Sequence, residues 1–332
     1  MRPRNRLIQA YKKIKTDRPP VWLMRQAGRH LPEYRAIKEK HSFMEMVKNE
    51  EIICEITKQP WRRYKMDGVV IFADILLIPD AMGMGLSFIK GEGPQFAKPI
   101  RDLSDLKTLR PTDPARDFSF LLNSLKRLRA ELGDEAALLG FAGSPWTVMS
   151  YMTDSQNLSL RKKLLERLTE ETIQYLLAQA EAGVDCVQIF DSWGGRLTPT
   201  EYREWSLPYI AQICEAVSKT GLPVILYIKE SRPLLKEMLN SGADVISIGA
   251  DTPLAEASAI ARGKAAIQGN LSNELMSIAT PAEITAATKA MLHEMQNFPG
   301  YIANLGHGLL PETPIENVTA FVEAVKRFTP QK

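Results

Sequence analysis

The sequence predicts an α/β protein built as a single (β/α)8 barrel, and three observations lead to this expectation. Eight short apolar runs recur along the 332 residues, with helical patterns between them. Each run is apolar on consecutive positions, as in parallel strands that are buried on both faces. Nearly every run ends in polar or glycine-rich residues, and a barrel places its chemistry at the carboxyl ends of many strands. A doubly wound open sheet, which gathers its chemistry at one switch point, is the alternative.

The expected strands, in chain order, are residues 21–24, 69–72, 138–141, 186–190, 224–228, 245–248, 265–268 and 301–305. Residues 160–182 form the clearest helix, because apolar residues recur near a 3.6-residue period and Gly183 ends it. Thr198, Thr280 and Thr313 each precede a proline and stand three residues before a glutamate. This pattern predicts three helices that begin with a capping box.

Composition indicates an ordinary globular protein, with 45% hydrophobic and 24% charged residues. No stretch approaches the roughly 18 apolar residues of a membrane span, and the N-terminus lacks the apolar core of a signal peptide. The three cysteines are far apart and odd in number, which argues against disulfides and predicts a cytoplasmic protein. Neither a GxGxxG nor a Walker motif is present to indicate a nucleotide.

The net charge of +3 is unevenly distributed. Residues 1–40 carry twelve Lys and Arg against three acidic residues, a balance of +9, so the remainder carries −6. Such a basic N-terminal arm indicates an anionic partner. Aromatic residues are not interleaved as in a platform that stacks nucleic-acid bases. An anionic small molecule, or simple solvation of the arm, fits the pattern at least as well.

Arg25 and Arg29 follow the first apolar run and stand four residues apart. If the chain turns helical there, both side chains lie on one face. Gly28 between them allows the backbone to approach a ligand closely. Two guanidiniums at the end of a strand suit a ligand with several carboxylates or phosphates. Two arginines chosen at random more often lie solvated at the protein surface. The residues at the other strand ends therefore decide whether this pair binds a ligand or is simply solvated.

Two other strand ends carry a titratable residue in unusual surroundings. Asp74 has apolar residues on both sides, and a carboxylate there needs N–H donors, a cation or a structural salt bridge. His307 lies between two glycines, which clear space around its ring. It is therefore the best site candidate among the four histidines.

Weaker signals lie between these strand ends. Ser144 stands among glycines but lacks the Gly-x-Ser-x-Gly pattern, so an acyl-enzyme is not expected. Tyr151 is either a site phenol or a packing tyrosine. Asp191 and Ser192 precede two glycines in a segment that can bind a ligand or simply turn. Ligand spacings typical of a zinc site are absent, so no metal is predicted.

Motifs along nearly the whole chain resemble the uroporphyrinogen decarboxylase family of haem biosynthesis. The most specific is PVWLMRQAGR at residues 20–29, followed by LPEYR at 31–35. The others occur in the family's order: FADIL at 72–76, GSPWT at 143–147 with Tyr151, QIFDS at 188–192, QGNL at 268–271 and NLGHG at 304–308.

The resemblance implies one (β/α)8 barrel domain over residues 1–332, with its basic N-terminal arm, usually assembled as a homodimer. It implies removal of CO2 from the four acetate side chains of uroporphyrinogen III, giving coproporphyrinogen III, without cofactor or metal. The positions implied at the cleft, of which Asp74, Arg25 and Arg29 are catalytic, are Arg25, Gln26, Ala27, Gly28, Arg29, Asp74, Tyr151, Ser192 and His307.

Decarboxylation needs a place for the electrons of the breaking C–C bond, and protonation of a pyrrole ring carbon supplies it. Asp74 on the pyrrole N–H groups would then stabilise the cationic ring. Arg25 or Arg29 would hold the reacting acetate. The other carboxylates would be bound by Tyr151, Ser192 and His307. Because a guanidinium is a poor acid, the general acid stays open among Arg25, Asp74 and a bound water.

The sequence departs from the family pattern at several rim positions. His30 stands where an aromatic such as tyrosine is usual, and Asp191 where glutamate is common. A charged segment at 227–232 replaces a more glycine-rich loop, Ser272 replaces an aspartate, and Asp251 lacks the usual tryptophan after it. These departures leave the preference for substrate isomers open.

Two other classes of function compete with this interpretation. A corrinoid-linked methyltransferase on a similar barrel would need a zinc site with thiolate ligands, which the cysteine spacing does not supply. A non-catalytic tetrapyrrole carrier would keep the cleft without requiring Asp74 together with Arg25.

Overall fold

The computed structural model describes residues 1–89 and 91–330. Its main sheet has seven parallel strands, and a separate antiparallel hairpin consists of β2 (Leu86–Ile89) and β3 (Gly93–Phe96). The main-sheet strands are β1 (Gly68–Val70), β4 (Ala137–Gly143), β5 (Cys186–Asp191), β6 (Val224–Ile228), β7 (Val245–Ser247), β8 (Ala266–Leu271) and β9 (Tyr301–Leu305). Each strand of this sheet pairs with the next one along the chain, in the order β1-β4-β5-β6-β7-β8-β9.

The α-helices precede β1, connect the strands or, for the last one, follow β9. They are α1 (Pro3–Tyr11), α2 (Pro32–Lys38), α3 (Phe43–Lys48), α4 (Glu50–Tyr64), α5 (Leu77–Pro79), α6 (Pro114–Asp117), α7 (Ser119–Leu132), α8 (Pro145–Met152), α9 (Leu158–Glu181), α10 (Pro199–Trp205), α11 (Leu207–Ser218), α12 (Leu235–Asn240), α13 (Leu254–Ala261), α14 (Asn273–Ile278), α15 (Pro281–Met295) and α16 (Ile315–Lys326). Short 3-10 or wide turns occupy Asp80–Met84, Asp105–Thr108, Gly194–Arg196 and Arg232–Leu234. None of the helices in the described ranges is long and apolar enough to cross a membrane.

The sheet is strongly curled, and side chains from distant strands meet inside it. Gln268 of β8 donates to Gln188 of β5 at 2.9 Å, although two strands separate β5 from β8 in the sheet order. The same amide donates to Ser247 at 2.9 Å and accepts from the Trp22 indole at 2.8 Å. All four side chains are fully buried, and these bonds supply partners for their polar atoms except Gln188 Nε2, which has none among the described residues.

Val21 connects the two edges of this curled sheet. It forms a parallel bridge with Ala303 of β9, whose N–H donates to the carbonyl of Pro20 at 2.9 Å. On the other side, the N–H of Asp67 donates to the carbonyl of Val21 at 2.9 Å, just before β1 begins. One residue therefore reaches both β9 and the approach to β1.

The predicted first strand, residues 21–24, is otherwise not a strand. The N–H groups of Leu23 and Met24 donate to side chains, those of Gln26 at 3.0 Å and Asn304 at 3.2 Å, rather than to a neighbouring strand. After Val21, side-chain acceptors thus replace the backbone hydrogen bonds that would join a strand to its neighbour. The other seven predicted strands are confirmed, with ends that shift by a few residues. The β2–β3 hairpin was not predicted, because its short strands are only partly buried.

Helix starts agree with the sequence in two of three cases. Thr198 and Thr280 form capping boxes in front of α10 and α15, each with proline in the first turn. The third prediction is wrong, because α16 begins at Ile315 and has no side-chain cap. The Thr313 hydroxyl instead accepts from the N–H of Leu310 at 3.2 Å. The long helix predicted at 160–182 is confirmed as α9, and Gly183 follows it with φ of 97°.

The basic N-terminal arm is folded against the amino ends of the strands. Within α1, Arg6 is buried and bonds to the buried Asp67 at 2.6 Å. Arg4 bonds to Asp185, which precedes β5, at 2.7 Å. These arginines neutralise carboxylates of the protein itself, so part of the arm's positive charge is not available to a diffusing anion.

Candidate active site

Arg25 lies in a tight turn rather than in a helix, so the condition under which it would share a helical face with Arg29 is not met. Its φ of 60° is in the left-handed region, which costs free energy for a residue with a side chain. The buried side chain of Gln26 holds this turn. It accepts from the N–H of Leu23 at 3.0 Å and donates to the carbonyl of Gly68 at 3.2 Å. Gln26 therefore faces the protein interior and positions the arginine.

The Arg25 side chain packs against the segment that follows β9. A β-carbon at Gly308 would lie 2.6 Å from the arginine Cγ and 3.0 Å from its Nε. The N–H of Leu309 donates to the carbonyl of Met24 at 3.0 Å, which fixes the two segments together. The glycine after His307 thus provides the space that Arg25 occupies.

Asp74 is half-buried beyond the end of β1. One carboxylate oxygen accepts from the N–H of Leu76 at 2.8 Å. Burial raises the pKa of Asp74 to about 6, an effect that the Leu76 N–H and the charge of Arg25 oppose. Within residues 1–89 and 91–330, Asp74 forms no ion pair. Its charge and that of Arg25 influence each other without direct contact.

His307 lies after β9 and stacks on Tyr227 of β6, with ring centroids 6.0 Å apart. The Tyr227 hydroxyl is 2.7 Å from His307 Nδ1 and 3.1 Å from the carbonyl of Gly306. Burial, together with the charges of Arg25 and Lys229, lowers the pKa of His307 to about 4. The imidazole is therefore neutral near pH 7.

The tyrosine hydroxyl has one proton and two acceptors within reach, so two arrangements exist. If it donates to Gly306, His307 carries its proton on Nδ1 and presents a bare Nε2. If it donates to Nδ1, the imidazole presents an Nε2–H. A carboxylate ligand at Nε2 would accept a hydrogen bond. It therefore favours the second arrangement, in which Nε2 carries the proton.

Tyr151, in the last turn of α8, contacts Trp193, with ring centroids 5.9 Å apart. Burial raises the pKa of Tyr151. The contact with Trp193 and the charges of Arg25 and Arg196 oppose this shift, whereas Asp74 adds to it. The phenol thus senses the charges of both Asp74 and Arg25. Ser192 is half-buried next to Trp193, and its hydroxyl has no partner in the described part of the chain.

Asp191 serves the structure of this loop. Its carboxylate is fully buried and accepts hydroxyl bonds from Ser144 at 2.6 Å, Ser206 at 2.7 Å and Thr147 at 2.9 Å. Burial raises its pKa, and these hydroxyl bonds oppose the shift. The carboxylate that the sequence offered as a ligand group instead fixes the end of β5 and the start of α8.

The remaining predicted positions flank the Arg25 turn. Arg29 is exposed and forms no ion pair with any described residue. Its charge opposes the rise that burial causes in the pKa of Tyr34. Ala27 and Gly28 are half-buried, and a β-carbon at Gly28 would lie 3.3 Å from the Arg25 carbonyl.

The structure therefore brings Arg25, Asp74, Tyr151 and His307 into one electrostatically connected group. Gln26 supports this group from the interior. Among the described residues, no hydrogen bond or ion pair joins Arg29 to this group. The geometry offers unpaired cations, a carboxylate of raised pKa and a neutral imidazole at the carboxyl ends of the strands.

Sequence reasoning missed Tyr227, Trp193 and Arg196. Tyr227 lies inside an apolar run, where nothing distinguishes a tyrosine that only packs from one that also holds a histidine. Trp193 and Arg196 follow β5 directly, and their position after a strand end was the available signal.

A metal site has no support in the side-chain geometry. Among the residues that the structure describes, no group of three or more His, Cys, Asp and Glu side chains could hold a metal ion. The three cysteines are free and buried.

Comparison with known proteins gives a consistent result over the whole chain. The profile of the family described as Uroporphyrinogen decarboxylase (URO-D) matches residues 2–328. The uroporphyrinogen decarboxylase of Chromohalobacter salexigens is 40% identical over 98% of this chain and 98% of its own. That of Idiomarina loihiensis is 38% identical over 98% of this chain and 96% of its own.

A solved methyltransferase from Methanosarcina mazei is similar in structure, with a TM-score of 0.81 over 99% of both chains. A B12-independent methionine synthase from Shewanella sp. W3-18-1 has a TM-score of 0.61 over 87% of this chain and 91% of its own. At 20% and 13% identity, these two structures establish the fold alone. The profile match and the close relatives establish more: this chain belongs to the uroporphyrinogen decarboxylase family.

Proposed function

We propose that this protein removes CO2 from the four acetate side chains of uroporphyrinogen III, giving coproporphyrinogen III, without cofactor or metal. Family membership supports this activity. The main structural observation in its favour concerns Asp74 and Arg25. The two groups form no ion pair, but the charge of Arg25 opposes the rise in the pKa of the Asp74 carboxyl. Both remain free to bind groups of opposite charge on one ligand.

The substrate class fits the charges of the cleft. Uroporphyrinogen carries eight carboxylates, and Arg25, Arg29 and Lys229 are exposed cations without an ion-pair partner in the described ranges. Neutral pyrrole N–H groups at the centre of the substrate match the carboxylate of Asp74. The protein therefore has one carboxylate with cations around it, and the substrate has central N–H donors with carboxylates around them, so the two charge patterns are complementary.

The reaction needs a transient cation on one pyrrole. A proton adds to the ring carbon next to the one that bears the acetate, and the electrons of the breaking C–C bond then neutralise the ring as CO2 leaves. The resulting exocyclic methylene takes up a proton to become the methyl group, and the ring carbon loses the proton that it had gained. Asp74 stabilises the cationic ring through the pyrrole N–H groups, and this interaction strengthens as the positive charge develops. Asp74 therefore lowers the barrier more than it strengthens binding.

The other residues orient the substrate. Arg25 or Arg29 holds the reacting acetate, and Tyr151, Ser192 and His307 bind carboxylates that are not reacting. The half-buried backbone of Ala27 and Gly28 lies between the two arginines and allows close approach of the ligand. The general acid is Arg25, Asp74 or a bound water, three alternatives that pH dependence can separate.

We also propose that residues 1–332 form one (β/α)8 barrel domain in which Val21 takes the place of the first strand. The bonds that join Val21 to both sheet edges support this closure. A homodimer is proposed from the family, and sedimentation velocity would then give twice the 37.2 kDa of one chain. The three free thiols are consistent with a protein of the cytoplasm, where thiols stay reduced.

The decisive experiment is anaerobic incubation of metal-free protein with enzymatically generated uroporphyrinogen III, followed by oxidation and separation by carboxyl count. We expect seven-, six- and five-carboxylate products that end at four carboxylates. An unchanged octacarboxylate, with protein whose circular dichroism shows it to be folded, would contradict the proposal. Restoration of turnover only by added metal would contradict metal independence while leaving the decarboxylase activity in place.

A further inference from the structure

The loop after β5 carries a guanidinium stacked on an indole. The central carbon of the Arg196 guanidinium lies 3.7 Å from the centroid of the Trp193 ring. The Trp193 ring lies in turn 5.9 Å from that of Tyr151, with an angle of 53° between their planes. Arg196 is exposed and forms no ion pair with any of the residues that the structure describes.

Neighbouring residues fix this loop from two directions. The N–H of Trp193 donates to the Thr147 hydroxyl at 3.1 Å, and that hydroxyl donates to Asp191 at 2.9 Å. On the other side, a β-carbon at Gly195 would lie 2.9 Å from both the Cβ and the carbonyl oxygen of Glu230. The loop therefore has little freedom to move, and the position of Arg196 is set before a ligand arrives.

Stacking determines which part of the guanidinium is available. The central carbon of the Arg196 guanidinium lies over the indole ring, and this cation–π contact stabilises the cation. The N–H groups lie at the edge of the guanidinium plane, and this edge can form two parallel bonds to a carboxylate. A pre-oriented fork loses less conformational entropy on binding than a free arginine side chain does.

The charge of Arg196 also reaches the candidate site. Together with Arg25, it opposes the rise that burial produces in the pKa of Tyr151. Tyr151 thus connects the cations of the Arg25 turn to the cation of the Arg196 loop. A ligand with carboxylates around its whole rim can engage both.

We propose that Arg196, held on Trp193, binds a carboxylate of a substrate side chain that is not reacting. This inference rests on the proposed function, since it takes a polycarboxylate tetrapyrrole as the ligand. Arg196 is then a binding and specificity-determining residue rather than a catalytic one. Its removal weakens substrate binding and leaves the chemical step unchanged.

The test compares three variants in the anaerobic turnover assay. Arg196→Gln should raise KM for uroporphyrinogen III about threefold to tenfold, the loss of one exposed charge-assisted contact, with kcat changed less than twofold. Arg196→Lys keeps the charge but loses the fork, so its KM should lie between those of Arg196→Gln and the unmodified protein. Arg262→Gln is the matched control, because it removes one exposed positive charge just before β8, at the opposite ends of the strands.

Binding of oxidised porphyrins identifies the carboxylate. Weaker binding of both uroporphyrin and coproporphyrin by Arg196→Gln indicates a propionate, which both compounds carry. Weaker binding of uroporphyrin alone indicates an acetate, and either result supports the proposal. A KM of Arg196→Gln within twofold of that of Arg262→Gln would overturn it. Absence of turnover by the unmodified protein would instead contradict the proposed function, so the two failures are distinguishable.

Discussion

Arg25 lies over Gly308, where an added β-carbon would come within 2.6 Å of the arginine Cγ. Arg25 follows the segment after the Val21 bridge and Gly308 follows β9, and each residue constrains the other. Arg25 keeps its left-handed turn while its side chain fills the space beside the backbone after His307. The smallest possible change at position 308 should therefore act through the arginine.

We expect Gly308→Ala to lower kcat/KM by about tenfold or more, because the methyl group displaces Arg25 from its bound position. The measurement is a double-mutant cycle with Arg25→Ala. If the glycine acts only through the arginine, Gly308→Ala should cost nothing further in the Arg25→Ala background. Additive losses would mean that position 308 affects the site by another route.

Asp74→Asn should reduce kcat by about 10²–10³ while changing the affinity for uroporphyrin by less than threefold. The amide keeps the shape of the side chain but cannot stabilise a cation that develops in the transition state. Single-turnover rates and equilibrium titration with the porphyrin would separate the two effects. Equal losses in both would make Asp74 a simple binding residue.

The pH dependence of kcat/KM should identify the working form of Asp74. Burial raises its pKa to about 6, so the carboxylate is ionised above this pH and protonated below it. If the ionised form stabilises the cation, activity should rise as the pH increases through about 6, and Asp74→Asn should lose that dependence. Activity that rises toward low pH through the same range would identify protonated Asp74 as the general acid instead.

His307 should bind ligand through Nε2–H with Tyr227 donating to Nδ1. The ¹⁵N chemical shifts of labelled His307 should move to that tautomer when a non-reactive carboxylated porphyrin is added. Tyr227→Phe removes the donor and should raise KM about threefold without shifting kcat. A bound state that keeps the proton on Nδ1 would exclude a direct bond between this histidine and a carboxylate.

Asp67 should be the most sensitive of the carboxylates that pair with the N-terminal arm. It accepts from Arg6 at 2.6 Å, Arg18 at 2.8 Å and the N–H of Val21 at 2.9 Å. Asp67→Asn leaves Arg18 without an acidic partner among the described residues and leaves Arg6 paired only with the more exposed Asp17. It should lower the free energy of unfolding by about 3–5 kcal/mol, measured by urea denaturation.

The matched control is Asp134→Asn. Asp134 pairs with Arg2 at 2.8 Å through side chains that are both more than a third exposed. Because solvent screens this pair, its loss should cost less than about 1 kcal/mol. Similar losses in the two variants would mean that burial of Asp67 does not determine its contribution.

Much of the fold followed from patterns that depend on local chemistry. Buried parallel strands have a distinctive run of consecutive apolar residues, and seven of these runs appear as strands. The first run does not, because the Gln26 and Asn304 side chains take the N–H groups that a strand would have used. Asn304 is distant in sequence from Met24, and neither of the two side-chain acceptors leaves a periodic signal.

The candidate site was predictable in composition but not in arrangement. Polar residues at strand ends marked Arg25, Asp74 and His307. The left-handed turn of Arg25 was not predictable, since no glycine or asparagine stands at that position. The buried role of Asp191 was also missed, because its hydroxyl partners come from both α8 and the start of α11.

The bridge between Val21 and Ala303 has a consequence for synthesis of the chain. Pro20 leaves the ribosome early, but the N–H that its carbonyl accepts belongs to a residue near the other end of the chain. Until β9 has emerged from the ribosome, the edge of β8 that pairs with it remains unpaired, and the sheet cannot complete its curl. Contacts between residues so far apart in sequence form late, and they make folding slower. A nascent chain that stalls before residue 303 would therefore expose an unpaired edge, the feature that chaperones and proteases recognise in incomplete products.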